Sequence, residues 1–61
     1  MKKERPATIS DFKVGQVMSY PKGGFNFRLL RKYDHGIWEA RFPGGIRCVM
    51  ESEVRHYTVN V

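Results

Sequence analysis

The sequence has few of the residues that cross-link or anchor a protein. Cysteine occurs once, at position 48, so no disulfide forms within the chain and a cysteine-rich zinc site is excluded. No run of about 18 apolar residues is present, and the first ten residues lack the apolar core of a secretion signal. These absences predict a protein of a reducing cytoplasm that does not span a membrane.

Acidic residues are also scarce. Six Asp and Glu stand against eleven Lys and Arg, which gives a net charge of +5 at neutral pH. The longest stretch without an acid contains the basic residues Lys13, Lys22, Arg28, Arg31 and Lys32. A small domain with this charge favours polyanions or acidic protein surfaces as partners.

The chain is too short for an elaborate buried active site. A domain of 61 residues buries only about 60% of the surface that its unfolded chain exposes. His35 and His56 are the only histidines: His35 lies in a tight turn, and His56 has only Asp11, Glu51 and Glu53 as possible partners, without a third metal ligand of evident spacing. The glycine pairs at 23–24 and 44–45 do not precede helices, so they indicate turns rather than phosphate loops. We therefore expect no enzyme activity, metal or cofactor.

Short β-prone runs separated by turn signals predict an all-β fold. The runs cover residues 14–20, 25–33, 37–42, 46–50 and 57–61, and no apolar stripe of helical period persists for ten residues. Residues 51–54 favour a single helical turn before the last strand. Residues 1–7 are polar and contain Pro6, which predicts a flexible basic arm carrying Lys2, Lys3 and Arg5. Residues 8–61 then form one domain.

Alternation of apolar residues predicts how the middle strands pair, because side chains of a strand alternate between two faces. Matching the apolar faces requires a two-residue turn at His35-Gly36, or a four-residue loop in the same register, and a three-residue loop over 43–45. Cys48 would then be a small buried residue, and we expect Phe27, Trp38 and Phe42 to be buried in the core. The resulting pairs are Tyr33 with Trp38, Leu29 with Phe42, Ala40 with Cys48, and Arg41 with Arg47.

The segment Asp11-Phe12-Lys13-Val14-Gly15-Gln16-Val17, followed by a β meander and a short turn before a last strand, resembles the SH3-like small-barrel superfamily. The resemblance covers residues 10–61 and implies a five-stranded, closed or nearly closed barrel. Tudor-like and KOW-like modules of this size bind nucleic acid or proteins. Type II dihydrofolate reductases of plasmids are also similar in size. They carry Val-Gln-Ile-Tyr where this chain has Arg55-His56-Tyr57-Thr58, so the resemblance does not extend to that activity.

The predicted registers place a basic surface on the outer side of three neighbouring strands. It comprises Arg28, Lys32, Arg41 and Arg47, with Glu39 as its single acid. Arginine offers a planar fork to phosphate oxygens and lysine a point charge. Tyr20 and Phe25 flank the turn that contains Lys22, where either ring is suited to stacking on a base. These features favour a module that binds DNA or RNA through its phosphates, helped by the N-terminal arm.

Other interpretations stay open at the level of sequence. The basic surface also fits an ordinary solvated face on which Lys32 pairs with Glu39. A second functional class is a protein-interaction module, such as a phage- or plasmid-type regulator or inhibitor of a larger host protein, which would use the aromatic side chains of Tyr20, Phe25 and Tyr33. Further alternatives are a homodimer and an enzyme whose site is assembled at the centre of an oligomer.

Overall fold

A computed structural model describes residues 3–60, which form one six-stranded antiparallel sheet. The all-β class is therefore confirmed, but the described residues form six strands instead of the predicted five. The strands lie in the order β1-β6-β2-β3-β4-β5, and within the described residues β1 and β5 are edges that do not pair with each other. The strands are β1 (Glu4–Pro6), β2 (Val17–Tyr20), β3 (Phe25–Asp34), β4 (Ile37–Phe42), β5 (Gly45–Met50) and β6 (Thr58–Asn60), with 3₁₀ turns at Ile9–Asp11 and Glu51–His56.

The turn between β3 and β4 is the two-residue one of the two loops that the predicted register allows. Asp34 pairs with Ile37 across it, leaving His35 and Gly36 as the loop. Gly36 has φ of +69°, which glycine adopts at little cost. The Asp34 carboxylate accepts a 2.7 Å hydrogen bond from the His35 amide and holds the turn.

One face of the sheet carries the hydrophobic core. Phe27 and Trp38 are buried as predicted, whereas Phe42 is only partly buried against them. Alternate residues of the central strands point inward, so each strand contributes to the same layer. The core comprises Ala7, Phe12, Met18, Phe27, Leu29, Trp38, Ala40, Val49 and Val59.

The prediction of a flexible arm is wrong for residues 4–7. Strand β1 pairs with β6, with Arg5 opposite Val59. The buried Ala7 donates a 3.0 Å backbone hydrogen bond to Tyr57. Local polarity misled the prediction because the partner strand lies at the other end of the chain. Of the other residues of the predicted arm, Lys3 is exposed, and Lys2 lies outside the described residues, as does residue 1.

Two β-bulges overturn the predicted pairing of β3 with β4. Leu29 pairs with Ala40 instead of Phe42, and Lys32 instead of Tyr33 pairs with Trp38. The register shifts between Leu29 and Arg31 and again between Lys32 and Asp34. Each bulge adds one residue to β3 and changes which residues share a face. Tyr33 consequently remains 58% exposed.

The pairing of β4 with β5 also differs from the prediction by one residue. Phe42 pairs with Gly45, so the loop is the two residues Pro43-Gly44 instead of three. Ala40 therefore lies opposite Arg47, and Cys48 lies opposite Glu39 on the outer face. A one-residue shift moves every side chain of β5 to the other face. Cys48 is exposed as a result.

Candidate nucleic-acid interface

Arg28 and Arg41 face each other at the centre of the sheet. They are directly opposed on β3 and β4. Arg28 lies between the buried residues Phe27 and Leu29, and Arg41 follows the buried Ala40, so both side chains project from the outer face. Directly opposed residues of an antiparallel pair have Cα atoms about 4.5–5.5 Å apart. We call these two residues the arginine pair.

Neither member of the arginine pair has an acidic partner within residues 3–60. The acids that form ion pairs in this part of the chain bind other cations: Asp11 binds Arg5, Glu39 binds Arg31, and Glu53 contacts Arg55 and His56. Like charges directly opposite in a sheet are destabilising by roughly 0.2–1 kcal/mol. The uncompensated pair is thus a local cost to the fold, in the middle of the sheet and not at an edge.

Apolar side chains lie on both sides of the arginine pair, one on each neighbouring strand. Val17 on β2 pairs with Arg28, and Ile46 on β5 pairs with Arg41. Ile46 is 56% exposed. The outer face therefore presents two central cations between two aliphatic side chains, with the hydrogen-bonded Ser19 and Asn26 as a polar neighbour.

The next cation on this face is neutralised. The Arg31 Nε atom lies 2.6 Å from the Glu39 carboxylate, and its guanidinium carbon is 5.6 Å from the centre of the Tyr33 ring. The partner that the sequence suggested for Glu39 was Lys32, which the bulge replaces with Arg31. The single acid of the predicted surface therefore neutralises Arg31 and leaves the arginine pair free.

Lys32 and Arg47 do not belong to the outer face, which corrects the predicted surface. Lys32 lies opposite the buried Trp38, and Arg47 lies opposite the buried Ala40, so both stand on the core side. Both side chains are nevertheless exposed. The structure thus brings together two of the four predicted cations, Arg28 and Arg41.

A groove lined by aromatic rings lies on the core side, at the end of the sheet that carries the turn between β2 and β3 and the turn between β4 and β5. The ring centroids of Tyr20 and Phe25 are 5.4 Å apart, and those of Phe25 and Phe42 are 5.6 Å apart. The ring centroid of Tyr57 lies 5.9 Å from that of Tyr20. Burial raises the pKa of Tyr57. Hollows of about 330 and 380 Å³ share Phe25 and Phe42 as walls. We call these four residues the aromatic groove.

Charged groups stand at the rim of the aromatic groove. Arg47 borders one hollow, and Glu53 and His56 border the other. The His56 Nε2 atom is 3.2 Å from the Glu53 carboxylate. The sequence indicated Tyr20 and Phe25 here but missed Phe42 and Tyr57. Tyr57 reaches the groove because β6 pairs with β2, a contact between distant segments that local alternation does not reveal.

The remaining predicted cations are dispersed. Lys22 is exposed in the turn beside the aromatic groove and borders a shallow hollow with Arg55. The Arg5 guanidinium donates two hydrogen bonds, of 2.9 and 2.7 Å, to the Asp11 carboxylate. These bonds, with a further one from the Thr8 amide, hold the pKa of Asp11 well below its usual range. Arg5 is therefore already paired.

No protein-family model, curated protein or solved structure matches the chain. Within residues 3–60, no helix is long and apolar enough to cross a membrane. The same residues contain no group of three or more His, Cys, Asp and Glu side chains placed to hold a metal ion. The arginine pair and the aromatic groove are thus the features from which a function can be argued.

Proposed function

We propose that the protein is a non-enzymatic module that binds nucleic acid by its phosphate backbone through Arg28 and Arg41. The observation that carries this proposal is their direct opposition on central strands, with no acidic partner among the described residues. A phosphate between the two guanidinium forks accepts hydrogen bonds from both and removes their repulsion. Contacts of this type position a protein on the backbone and read little base sequence.

The charge and chemistry of the rest of the chain support this proposal. The net charge of +5 raises the rate at which polyanions are encountered. The exposed free thiol of Cys48 suits a reducing compartment such as the cytoplasm. The aliphatic neighbours Val17 and Ile46 flank the arginine pair and carry no charge that competes with a phosphate for it.

The SH3-like resemblance forms part of the proposal. Strands β2 to β5 follow one another as a meander, a 3₁₀ turn precedes β6, and β6 returns to lie beside β2. This order supports a nearly closed small barrel in which the outer edge of β5 stays unpaired. In such a barrel the arginine pair lies on the outside of the wall.

The experiment is a binding titration of labelled single- and double-stranded DNA and RNA followed by fluorescence anisotropy. Arg28→Ala and Arg41→Ala should each weaken binding about equally for every sequence tested, because both contact phosphate. Arg55→Ala is the matched control, since it removes the same charge from an exposed arginine elsewhere on the molecule. Equal affinity of the wild type and both pair variants would overturn the proposal.

A second candidate function, binding of a protein partner, is supported by the aromatic groove. Half-buried aromatic rings around a concave surface with an arginine at its rim are typical of energetically important protein contacts. This function predicts a stoichiometric, nuclease-resistant complex that Tyr20→Ala abolishes and Arg28→Ala retains. A complex that Arg28→Ala abolishes and Tyr20→Ala retains would instead assign the partner to the outer face.

A further inference from the structure

The two edges of the sheet are built differently. Strand β1 has three residues and ends in Pro6, with Glu4 and Arg5 before it. Short length, charge and proline are the devices that keep an edge strand from pairing with another chain. Strand β5 has six residues and no proline, and its outer edge has no strand partner in the described chain. One edge is therefore protected and the other is open.

The outer side of β5 is apolar. Ile46 and Met50 are 56% and 50% exposed, and Cys48 between them is exposed as well. They pair with outer-face residues of β4, as in the pair of Ile37 with Met50, so all three lie on the outer face. An open edge with apolar side chains on one face is a template for another strand.

The sequence of β5 is complementary to itself in one antiparallel register. A two-fold axis perpendicular to the sheet keeps the outer faces of two copies on the same side, so outer residues oppose outer residues. With the axis at Cys48, Ile46 of each copy lies opposite Met50 of the other copy, and the two Cys48 residues face each other. Every exposed apolar side chain of the strand then has an apolar partner.

The charge on β5 selects the same register. Arg47 points to the opposite face from Ile46 and, in this register, lies opposite Val49 of the second copy. Centring the axis on Arg47 instead would place the two Arg47 side chains directly opposite each other, which is unfavourable. Centring it on Val49 would leave Ile46 without an apolar partner. The Cys48-centred register is the one that satisfies both requirements.

We propose that the partner of this edge is a second copy of the chain, paired antiparallel through β5 about Cys48. The pairing joins two sheets into one twelve-stranded sheet with both arginine pairs on the same side. A single strand pair of this length is a small interface, so the dimer forms reversibly and depends on protein concentration. It requires only the open edge, and so it stands independently of nucleic-acid binding.

The first test is sedimentation equilibrium over a range of protein concentrations, with reductant and without nucleic acid. The wild type should associate to a dimer. Met50→Lys should weaken the dimer at least about tenfold, because it places an ammonium group against an apolar side chain in the paired edge. Val14→Lys is the matched control: Val14 is 71% exposed and outside the sheet, and the substitution adds the same charge.

The second test reads the register through disulfide formation with diamide, which accepts the two electrons and two protons that leave two thiols. Directly opposed Cys48 residues lie within the Cα distances that a disulfide spans. The variant Ile46→Cys with Cys48→Ser should not cross-link, since its thiols would be four residues apart along the strands, about 13 Å. The wild type should therefore become a covalent dimer and the variant should not.

Three results would overturn the proposal. They are a monomer at every concentration, a dimer that Met50→Lys leaves as stable as Val14→Lys does, and cross-linking of the Ile46→Cys variant in preference to the wild type. Circular dichroism of each variant separates loss of pairing from loss of fold.

Discussion

The indole Nε1 of Trp38 donates a 2.9 Å hydrogen bond to the carboxylate of Glu51. This bond joins β4 to the first residue of the second 3₁₀ turn, and Trp38 is 7% exposed. The turn carries the chain back towards β6. The bond therefore anchors the connection that lets the last strand pair with β2 and β1.

Loss of this bond should destabilise the fold. Glu51→Ala leaves a largely buried indole donor without its acceptor, which costs about 1–3 kcal/mol. Glu51→Gln keeps a carbonyl acceptor at the same place and should lose less. Urea unfolding followed by tryptophan fluorescence measures both. Equal stability of Glu51→Ala and the wild type would show that the bond contributes nothing.

The ion pair of Arg5 and Asp11 should make the free energy of unfolding depend on pH in the acidic range. The pKa of Asp11 is lower in the folded state than in the unfolded chain because Arg5 and Thr8 donate hydrogen bonds to the carboxylate. Its contribution is fully present above the ordinary aspartate pKa of about 3.9 and is lost as the pH falls through the lower folded value.

The free energy of unfolding should accordingly be higher for the wild type than for Asp11→Asn near neutral pH. The two values should converge as the pH falls below about 4. Urea titrations at neutral pH, at about pH 4 and at about pH 2.5 cover the upper part of that window and measure how far the difference has fallen. A difference that stays constant across the series would show that the pKa of Asp11 is the same in both states.

Relieving the repulsion within the arginine pair should raise stability while weakening binding. Arg28→Glu creates an opposite-charge pair with Arg41 and should stabilise the fold by up to about 1 kcal/mol. A double-mutant cycle with Arg28→Ala and Arg41→Ala should return an unfavourable coupling in the wild type that salt reduces. A favourable coupling would mean that another group already compensates the charges.

Gly23 should be needed for packing and not for its backbone angles. A Cβ at Gly23 would lie 2.7 Å from the Tyr20 ring and closer still to the Phe25 ring. Gly23→Ala should therefore cost about 1–3 kcal/mol and disturb the aromatic groove. Gly44→Ala is the matched control, because a Cβ there meets nothing within 4 Å. Equal thermal unfolding temperatures of Gly23→Ala and Gly44→Ala would contradict the close packing of Gly23 against the aromatic groove.

The features that local pattern determines were predictable from the sequence. Strand β4 falls on the predicted residues 37–42, and the 3₁₀ turn that precedes the last strand overlaps the predicted turn at 51–54. Burial of Phe27 and Trp38 follows from alternation within one strand. These predictions depend on residues that are neighbours in the chain.

Features that depend on distant pairing or on bulges were not predictable. A bulge leaves no mark on apolar alternation in β3, so Arg31 was not recognised as the partner of Glu39. The loop at Pro43-Gly44 was one residue shorter than expected, which exposed Cys48 and moved Arg47 to the core side. Arg28 and Arg41 kept their predicted face because each lies beside buried residues of its own strand.

The most direct test of the proposed function is the salt dependence of nucleic-acid affinity. For duplex DNA, the logarithm of the association constant falls with the logarithm of salt concentration by about 0.9 for each phosphate contact. The double variant Arg28→Ala, Arg41→Ala should therefore have a slope about 2 units shallower than the wild type and than Arg55→Ala. Identical slopes for the wild type and the double variant would show that the arginine pair does not contact phosphate.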